Sequence, residues 1–161
     1  MAEAHLICGG VGAGKTTYAR ALAMRLQAPR FSIDEWMRDL YLADAPSPFS
    51  YEWALERTLR CERQILSVCA QRPDLAAVLD FGFLEASHRE RIRAACREIG
   101  LTPRLHYLDV DAETRWSRVG QRNAQRHETF VIQVTRQMFD FCETLFEAPG
   151  PEELRGATVV Q

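Results

Sequence analysis

The sequence predicts an α/β domain, in which helices cover both faces of a parallel sheet. Short apolar segments of strand type alternate with longer segments in which apolar residues recur at helical spacing. A complete G-x-x-x-x-G-K-[ST] loop follows the first strand, and an acid stands at the end of each of the next two. The chain of 161 residues is long enough for one such domain and too short for two. We therefore expect residues 1–161 to form a single domain.

Five segments have the composition of β-strands, and helical stretches separate the first four. The third and fourth are continuously apolar, as strands buried on both faces should be. The five segments are 4–8, 30–33, 76–80, 104–109 and 157–161.

Helical periodicity and end signals predict the helices between these strands. A capping box, Ser87 with Glu90, opens one helix, and Gly100 stands where a left-handed stop is expected. Another helix begins near Asp111. The remaining helices are predicted at 17–26, at 51–72 with Pro73 ending it, and at 129–146 with Pro149 beyond it.

Composition argues against several classes of protein. The hydrophobic fraction is 47% and the charged fraction 26%, which is ordinary for a globular protein. No apolar run is long enough to cross a bilayer, and the N-terminus lacks a signal pattern, so we expect a cytoplasmic protein without a membrane partner. A net charge of −2 argues against non-specific nucleic-acid binding. Reduced core thiols are expected of the five cysteines, Cys8, Cys61, Cys69, Cys96 and Cys142.

The glycine-rich loop contains Lys15, the only lysine of the chain. Glycines leave backbone N–H groups free to surround an anion, and the helix that follows directs its positive end to the same point. A compact ammonium can reach between phosphates where a guanidinium would not. A chance glycine-rich turn is the alternative, but the strand before and the helix after favour a nucleoside triphosphate site. Its predicted residues are Gly10, Gly12, Ala13, Gly14, Lys15, Thr16 and Thr17, with the Thr16 hydroxyl on Mg²⁺.

Two acids end strand-like segments on the same edge of the predicted sheet. Asp34 follows the second strand and Asp80 the third, so both should face the crevice beside the loop. Either acid alone could be a helix cap or a surface residue. A phosphotransferase needs one carboxylate for the attacking hydroxyl and another for Mg²⁺, and two acids fit that division.

Four arginines, Arg115, Arg118, Arg122 and Arg126, lie three or four residues apart and so share one helix face. Like charges at this spacing destabilise an isolated helix, which indicates an anionic partner. A solvated face in an arginine-rich protein is the alternative. We interpret the region 115–135 as a lid whose Arg118 and Arg122 contact phosphate.

These motifs resemble the small P-loop proteins described as AAA domain, which are similar to chloramphenicol phosphotransferase, zeta toxins, and gluconate and shikimate kinases. The resemblance rests on the loop to Thr17, on the D-x-W of Asp34 and Trp36, on the L-D-F-G that contains Asp80 and Gly82, on the R-x-x-R-V-x-x-R-N stretch from Arg115 to Asn123, and on Phe146-Glu147-Ala148-Pro149. It implies a sheet of order 2-3-1-4-5, a base after strand 2 and a lid with phosphate-binding arginines.

One departure from the family concerns adenine. The sequence stops at Val159-Val160-Gln161, within the fifth strand, where the family continues with a loop that packs on the base. We interpret the turn 147–153 as a substitute.

The resemblance and the residues together predict an ATP- and Mg²⁺-dependent kinase for a hydroxyl of a small or medium-sized acceptor. The catalytic residues would be Asp34, Lys15, Arg118 and Arg122, and Thr16 with Asp80 would hold the metal, although an exchange of the two acids is left open. The acceptor would lie beside helices at 35–73, where Trp36, Tyr41, Phe49, Tyr51 and Trp53 offer aromatic walls. The acceptor residues would be Asp34, Trp36, Arg38, Asp80 and Gly82.

Two other functions remain open on the sequence alone. A polynucleotide or tRNA kinase could use the lid arginines, although the net charge does not favour it. A non-catalytic ATP-binding module would not need two acids beside the loop. The absence of an N-K-x-D guanine-reading motif argues against a regulatory GTPase.

Overall fold

The computed structural model describes residues 1–125 and 133–161. Five strands form one sheet in the order β2-β3-β1-β4-β5, and every neighbouring pair is parallel. The predicted α/β class and strand order are therefore confirmed. The strands are β1 Glu3–Cys8, β2 Arg30–Ser32, β3 Ala77–Gly82, β4 Thr102–Leu108 and β5 Thr158–Val160.

Seven α-helices and one 3₁₀ helix are present in the described part of the chain. They are α1 Lys15–Leu26, α2 Ile33–Leu40, the 3₁₀ helix Leu42–Asp44, α3 Tyr51–Gln71, α4 Ala86–Glu98, α5 Ala112–Gln125, α6 Arg136–Leu145 and α7 Pro151–Leu154. None of them is long and apolar enough to cross a membrane.

Alternation along β1 gives the sheet its two cores. Leu6 and Cys8 face the cluster that includes Ile65 of α3 and Ile92 of α4. Ile7 faces the opposite side. There it packs in a smaller cluster with α1, whose contributing residues are Ala19, Leu22 and Ala23. Because both faces of β1 are buried, the loop that follows it starts from a rigid central strand.

Two helix boundaries differ from the sequence prediction. The helix α4 begins at Ala86, one residue before the predicted capping serine, and the Ser87 hydroxyl does not cap it. The Glu147 carboxylate accepts the Ala86 N–H at 2.6 Å instead. The helix α6 begins at Arg136, and the Thr135 hydroxyl caps it by accepting from the Met138 N–H. Residues 133–135, which the sequence prediction placed in this helix, are therefore not helical, and the prediction is wrong there. The rest of that predicted helix before 133 lies outside the described residues.

The cysteines agree with their predicted role as thiols. All five are free, and all except the half-buried Cys142 are buried. Burial raises the pKa of Cys8 to about 11 and that of Cys96 to about 12. These thiols therefore stay protonated at neutral pH and pack as small apolar groups.

Candidate functional site

The glycine-rich loop joins β1 to α1 at the carboxyl edge of the sheet. Gly14 immediately precedes α1 with φ of 93°, and Gly12 has φ of 80°, conformations that glycine adopts without strain. The Ala13 N–H donates to the Gly10 carbonyl at 3.2 Å and tightens the turn. No acidic side chain lies in the first turn of α1. The positive end of this helix is therefore available to an anion in the loop.

Lys15 turns back over the loop. Its Nζ donates to the carbonyls of Gly9 and Gly10 at 2.8 and 2.9 Å. Burial lowers the pKa of Lys15, and the nearby carboxylates of Asp80 and Asp34 oppose this shift. An ammonium held this way can exchange loop carbonyls for phosphate oxygens without a large movement of the backbone.

Arg115 supports the loop from behind. Its guanidinium is buried, donates to the Val11 carbonyl at 3.2 Å, and makes two bonds of 2.6 and 2.8 Å to the Glu143 carboxylate. A Cβ on Gly10 would lie 2.2 Å from an Arg115 nitrogen, and one on Gly12 would lie 2.4 Å from the Arg115 carbonyl oxygen. Arg115 thus does not fit the prediction of four arginines that share one face towards an anionic partner, because its guanidinium pairs with Glu143 inside the protein.

Arg118 and Arg122 lie beside the loop. Both line a cavity of about 210 Å³ whose other walls are Gly12, Gly14, Thr16, Thr17 and Val119. Arg118 is exposed and donates to the Ala13 carbonyl at 3.3 Å. Arg122 is half-buried, and its Nε is enclosed without a partner among the described residues. Burial lowers the pKa of Arg122, and Asp34 opposes this. The predicted role of Arg126 lies outside the described residues.

A second cavity, of about 350 Å³, lies between the loop, the sheet edge and the helices. We call it the large cleft. Lys15, Thr16, Asp34 and Asp80 line it together with Arg122, which also lines the smaller cavity. The other lining residues are Val11, Gly12, Met37, Arg38, Leu42, Phe49, Trp53, Gly82, Val134 and Met138.

The two acids differ in environment. Asp34 is exposed in the first turn of α2. Asp80 lies inside β3 rather than at its exit, is buried, and accepts from Arg30 at 2.9 Å. Burial raises the pKa of Asp80, an effect that Lys15 and Arg30 oppose and Asp34 reinforces. The acid with freedom to meet a substrate is therefore Asp34.

The predicted acceptor residues on α2 do not all line the cleft. Met37 and Arg38 follow Asp34 by three and four residues and share its face of the helix. Trp36 points away and packs edge-on against Phe31, with ring centroids 6.3 Å apart, so it does not line the cleft.

Of the predicted aromatic walls, Phe49 and Trp53 line the cleft. Tyr41 packs against the core, and Tyr51 lies 6.0 Å from the Phe141 ring. Gly82 lines the cleft with φ of 84°.

The turn at 147–153 is engaged elsewhere. Glu147 holds the start of α4, and Glu153 makes a two-bonded ion pair with the buried Arg89 at 2.7 and 2.8 Å. Neither glutamate lines either cavity. The predicted adenine contact of this turn therefore finds no support in the structure.

Two residues of the site, Arg30 and Glu143, had no signal in the sequence, and the contact of a third, Asn123, could not be predicted from it. Arg30 links Asp80 to Glu35, and Glu143 neutralises Arg115. Asn123 pairs with the backbone of Val134 through two bonds, of 2.8 and 3.2 Å, and so closes α5 onto the wall of the cleft. The R-x-x-R-V-x-x-R-N stretch contains Asn123, but its partner could not be read from the spacing.

Magnesium ligands are few in this site. No group of three or more His, Cys, Asp or Glu side chains that could hold a metal occurs within 1–125 and 133–161. Mg²⁺ in phosphate sites needs only one or two carboxylates, because water and phosphate oxygens complete its shell. Thr16 and Asp80 on one cleft fit that smaller donor set.

Comparisons with known proteins agree with this geometry. The family model described as AAA domain matches residues 5–146. No curated protein matches the chain in sequence. Kti12 of Chaetomium thermophilum, solved in complex with ADP-AlF3, is similar with a TM-score of 0.71 at 17% identity, covering 98% of this chain and 87% of that chain.

Two further solved structures are similar to the chain. A gluconokinase from Sinorhizobium meliloti 1021 has a TM-score of 0.66 at 15% identity, covering 98% of this chain and 81% of that chain. A chain of the Pnkp1/Rnl/Hen1 RNA repair complex has a TM-score of 0.65 at 16% identity, covering 89% of this chain and 43% of its own length. The family match spans most of the sequence and the sheet order is that of the P-loop kinases, so the chain belongs to the AAA domain family and has the P-loop kinase fold.

Proposed function

We propose that the protein is an ATP- and Mg²⁺-dependent phosphotransferase that acts on a hydroxyl of a small or medium-sized acceptor. The observation that carries this proposal is that one cleft joins the phosphate loop to the surface where an acceptor could bind. Lys15 and Thr16 of the phosphate loop line the same cavity as Asp34 and the walls of α2 and α3. A protein that only bound nucleotide would not need an exposed carboxylate beside the place of the terminal phosphate.

The residues fit ATP on two independent observations. Gly12 and Gly14 hold positive φ just before α1, and no acidic side chain lies in the first turn of that helix, so its positive end is open to a phosphate. Arg122, which lines both cavities, keeps a buried Nε without a partner within residues 1–125 and 133–161. An enclosed donor of this kind is costly unless a ligand oxygen accepts from it. We propose that Arg118 and Arg122 contact phosphate, and that ATP supplies the transferred phosphoryl group.

The metal would be held by Thr16 and, through water, by Asp80. The carboxylate of Asp80 has one oxygen on Arg30, which leaves the other for a water ligand. Arg30 thereby fixes the orientation of this acid as a supporting residue. Bound Mg²⁺ would neutralise phosphate charge.

Asp34 would act as the base. Its place on the first turn of α2 lets it accept a proton from an acceptor hydroxyl that enters between α2 and α3. The positive charges of Lys15 and Arg122 in the cleft would stabilise the negative charge that develops during transfer.

The test is ADP release from ATP and Mg²⁺ in the presence of polyols, sugar acids, aromatic alcohols, nucleosides and 5′-hydroxyl oligonucleotides. We expect release that depends on one class of acceptor and is lost in Asp34→Asn, while calorimetry shows ATP bound by both proteins. Binding of ATP without acceptor-dependent release by any class would contradict transfer and favour a non-catalytic module. Release with the oligonucleotide alone would identify a polynucleotide kinase instead.

A further inference from the structure

The helical side of the large cleft is apolar. Its walls come from α2, the 3₁₀ helix, α3 and α6, together with the residues that precede α3 and α6. They are Met37, Leu42, Phe49, Trp53, Val134 and Met138. The phosphate-loop residues Lys15 and Thr16 and the two acids, Asp34 and Asp80, line the same cleft. Apart from Asp34 and Arg38, the described residues of α2, α3 and α6 that line the cleft are apolar.

Arg38, the cation that α2 contributes to the cleft, already has a partner. Arg38 donates from Nε and a terminal nitrogen to Asp39 at 2.6 and 2.9 Å. A neighbouring cation, Arg57, lies 4.2 Å from the centre of the Trp53 ring and donates to the Trp53 carbonyl at 3.2 Å. Its charge is used to hold the aromatic wall in place. Arg38 therefore reaches the cleft with its charge already paired, and Arg57 does not line the cleft.

The aromatic pair at the mouth of the cleft leaves apolar surface uncovered. The Phe49 and Trp53 rings meet edge to face at 6.2 Å, and Phe49 is 64% exposed. Leu42 and Met138, also on the lining, are 43% and 40% exposed. Covering such surface with an apolar ligand is favourable, whereas placing the hydroxyls of a polyol against it leaves them without hydrogen-bond partners.

We propose that the acceptor is an uncharged alcohol with an aromatic or comparably apolar body, and that polyols and sugar acids are poor substrates. This inference rests on the proposed function and specifies its substrate class. The ring lies between Phe49, Trp53 and the two methionines, and a short arm brings the hydroxyl to Asp34. A cleft of about 350 Å³ suits one ring system with such an arm.

The reaction balances with ATP as the donor. The acceptor oxygen forms a bond to the terminal phosphorus, and the bond from that phosphorus to the bridging oxygen breaks. The leaving ADP keeps that electron pair. The hydroxyl proton passes to Asp34 and then to solvent, so no further reactant is needed.

The experiment compares kcat/KM for matched primary alcohols. Benzyl alcohol and 2-phenylethanol are set against glycerol, gluconate and a 5′-hydroxyl oligonucleotide, with ATP and Mg²⁺ fixed. We expect the aromatic alcohols to exceed the polyol and the sugar acid by at least about tenfold. A preference for glycerol or gluconate would overturn this inference and leave the kinase proposal standing. Absence of ADP release with every compound, while ATP binds, would overturn both.

Variants of the wall give a second measurement. Phe49→Ala, at an exposed position, should raise KM for the aromatic alcohols about tenfold with KM for ATP unchanged. The matched control is Tyr51→Ala, which removes an exposed aromatic that packs on Phe141 and does not line the cleft. The control should stay within about twofold of the parent. Equal effects of the two variants would show that the aromatic wall does not select the acceptor.

Discussion

Arg115 of α5 and Glu143 of α6 form a two-bonded ion pair, with distances of 2.6 and 2.8 Å, next to the phosphate loop. The same guanidinium donates to the Val11 carbonyl of the loop. The pair therefore ties together α5, α6 and the loop, three segments that are distant in sequence.

Removing one member of this pair should destabilise the fold. Glu143→Ala leaves Arg115, which is 4% exposed, without its counter-charge, so we expect the free energy of unfolding to fall by about 3 kcal/mol. Urea denaturation measures it. The control is Asp140→Ala on the same helix, whose exposed pair with Arg136 should contribute about 0.5 kcal/mol or less. Similar losses in the two variants would contradict the supporting role of the pair.

Lys15→Met should abolish triphosphate binding and leave the fold intact. Within the described residues, Lys15 donates hydrogen bonds to the two loop carbonyls of Gly9 and Gly10 and none to a buried acid. Calorimetry with ATP and Mg²⁺ measures the affinity. The variant Arg25→Met, in the last turn of the same helix, serves as the control and should bind like the parent. Unchanged affinity in Lys15→Met would refute the loop assignment.

Amide variants of the two acids should have different effects on activity. Asp34→Asn should remove acceptor phosphorylation with ATP affinity nearly unchanged, because a base contributes to the transition state more than to nucleotide binding. Asp80→Asn should weaken the dependence on Mg²⁺ and also lower stability, because Asp80 is buried on Arg30. Turnover, a magnesium titration and a melting curve distinguish them. The reverse pattern would mean that the roles are exchanged.

Arg118→Ala and Arg122→Ala should each lower turnover about a hundredfold, or about 2.7 kcal/mol, with a smaller change in ATP binding. The reason is that contacts to the transferred group strengthen as its charge develops. Single-turnover rates measure this. Arg126→Ala, by prediction from the sequence, should remain within a few-fold of the parent. Unchanged rates in the first two variants would contradict a role of Arg118 and Arg122 in transfer and would support the alternative of a solvated helix face.

Acid should destabilise the protein through two buried histidines. Tyr18 Oη lies 2.8 Å from His106 Nδ1, and His106 Nε2 lies 2.9 Å from His5 Nδ1. Burial lowers the pKa of His106 from 6.5 to about 4, and it lowers that of His5 as well. The folded state thus binds fewer protons than the unfolded state between these values, so stability is complete above about pH 6.5 and falls towards pH 4.

Urea midpoints at pH 7.5, 5.5 and 4.5 measure this loss, which should reach the order of 2–3 kcal/mol. His106→Gln keeps an amide that can bond to its neighbours but does not titrate, so its stability should depend less on pH in this window. A variant with the full pH dependence of the parent would exclude His106 as the source.

Local signals in the sequence predicted the parts of the site that depend on backbone chemistry. The glycines, Lys15 and Thr16 follow a fixed spacing set by the loop, and Asp34 follows directly from the end of β2. The loop residues and Asp34 depend only on their neighbours in sequence, which is why a single sequence was enough to predict them. The strand order, by contrast, was predicted from the family resemblance.

The missed features depend on partners far along the chain. The spacing of Arg115, Arg118 and Arg122 predicts a shared face, but Glu143, 28 residues away, decides that Arg115 points inward. The capping serine at 87 fitted its pattern, yet Glu147, 61 residues from Ala86, takes that place. Such competition between local and distant partners is settled by tertiary packing, which spacing does not encode.

Arg122 belongs to the walls of both cavities. In the proposed reaction, nucleotide and acceptor would both meet this guanidinium, and any shift that one ligand causes in its position would change the affinity for the other. Because such coupling is reciprocal, a nucleotide that raises acceptor affinity by a given factor would itself bind more tightly by the same factor when the acceptor is present.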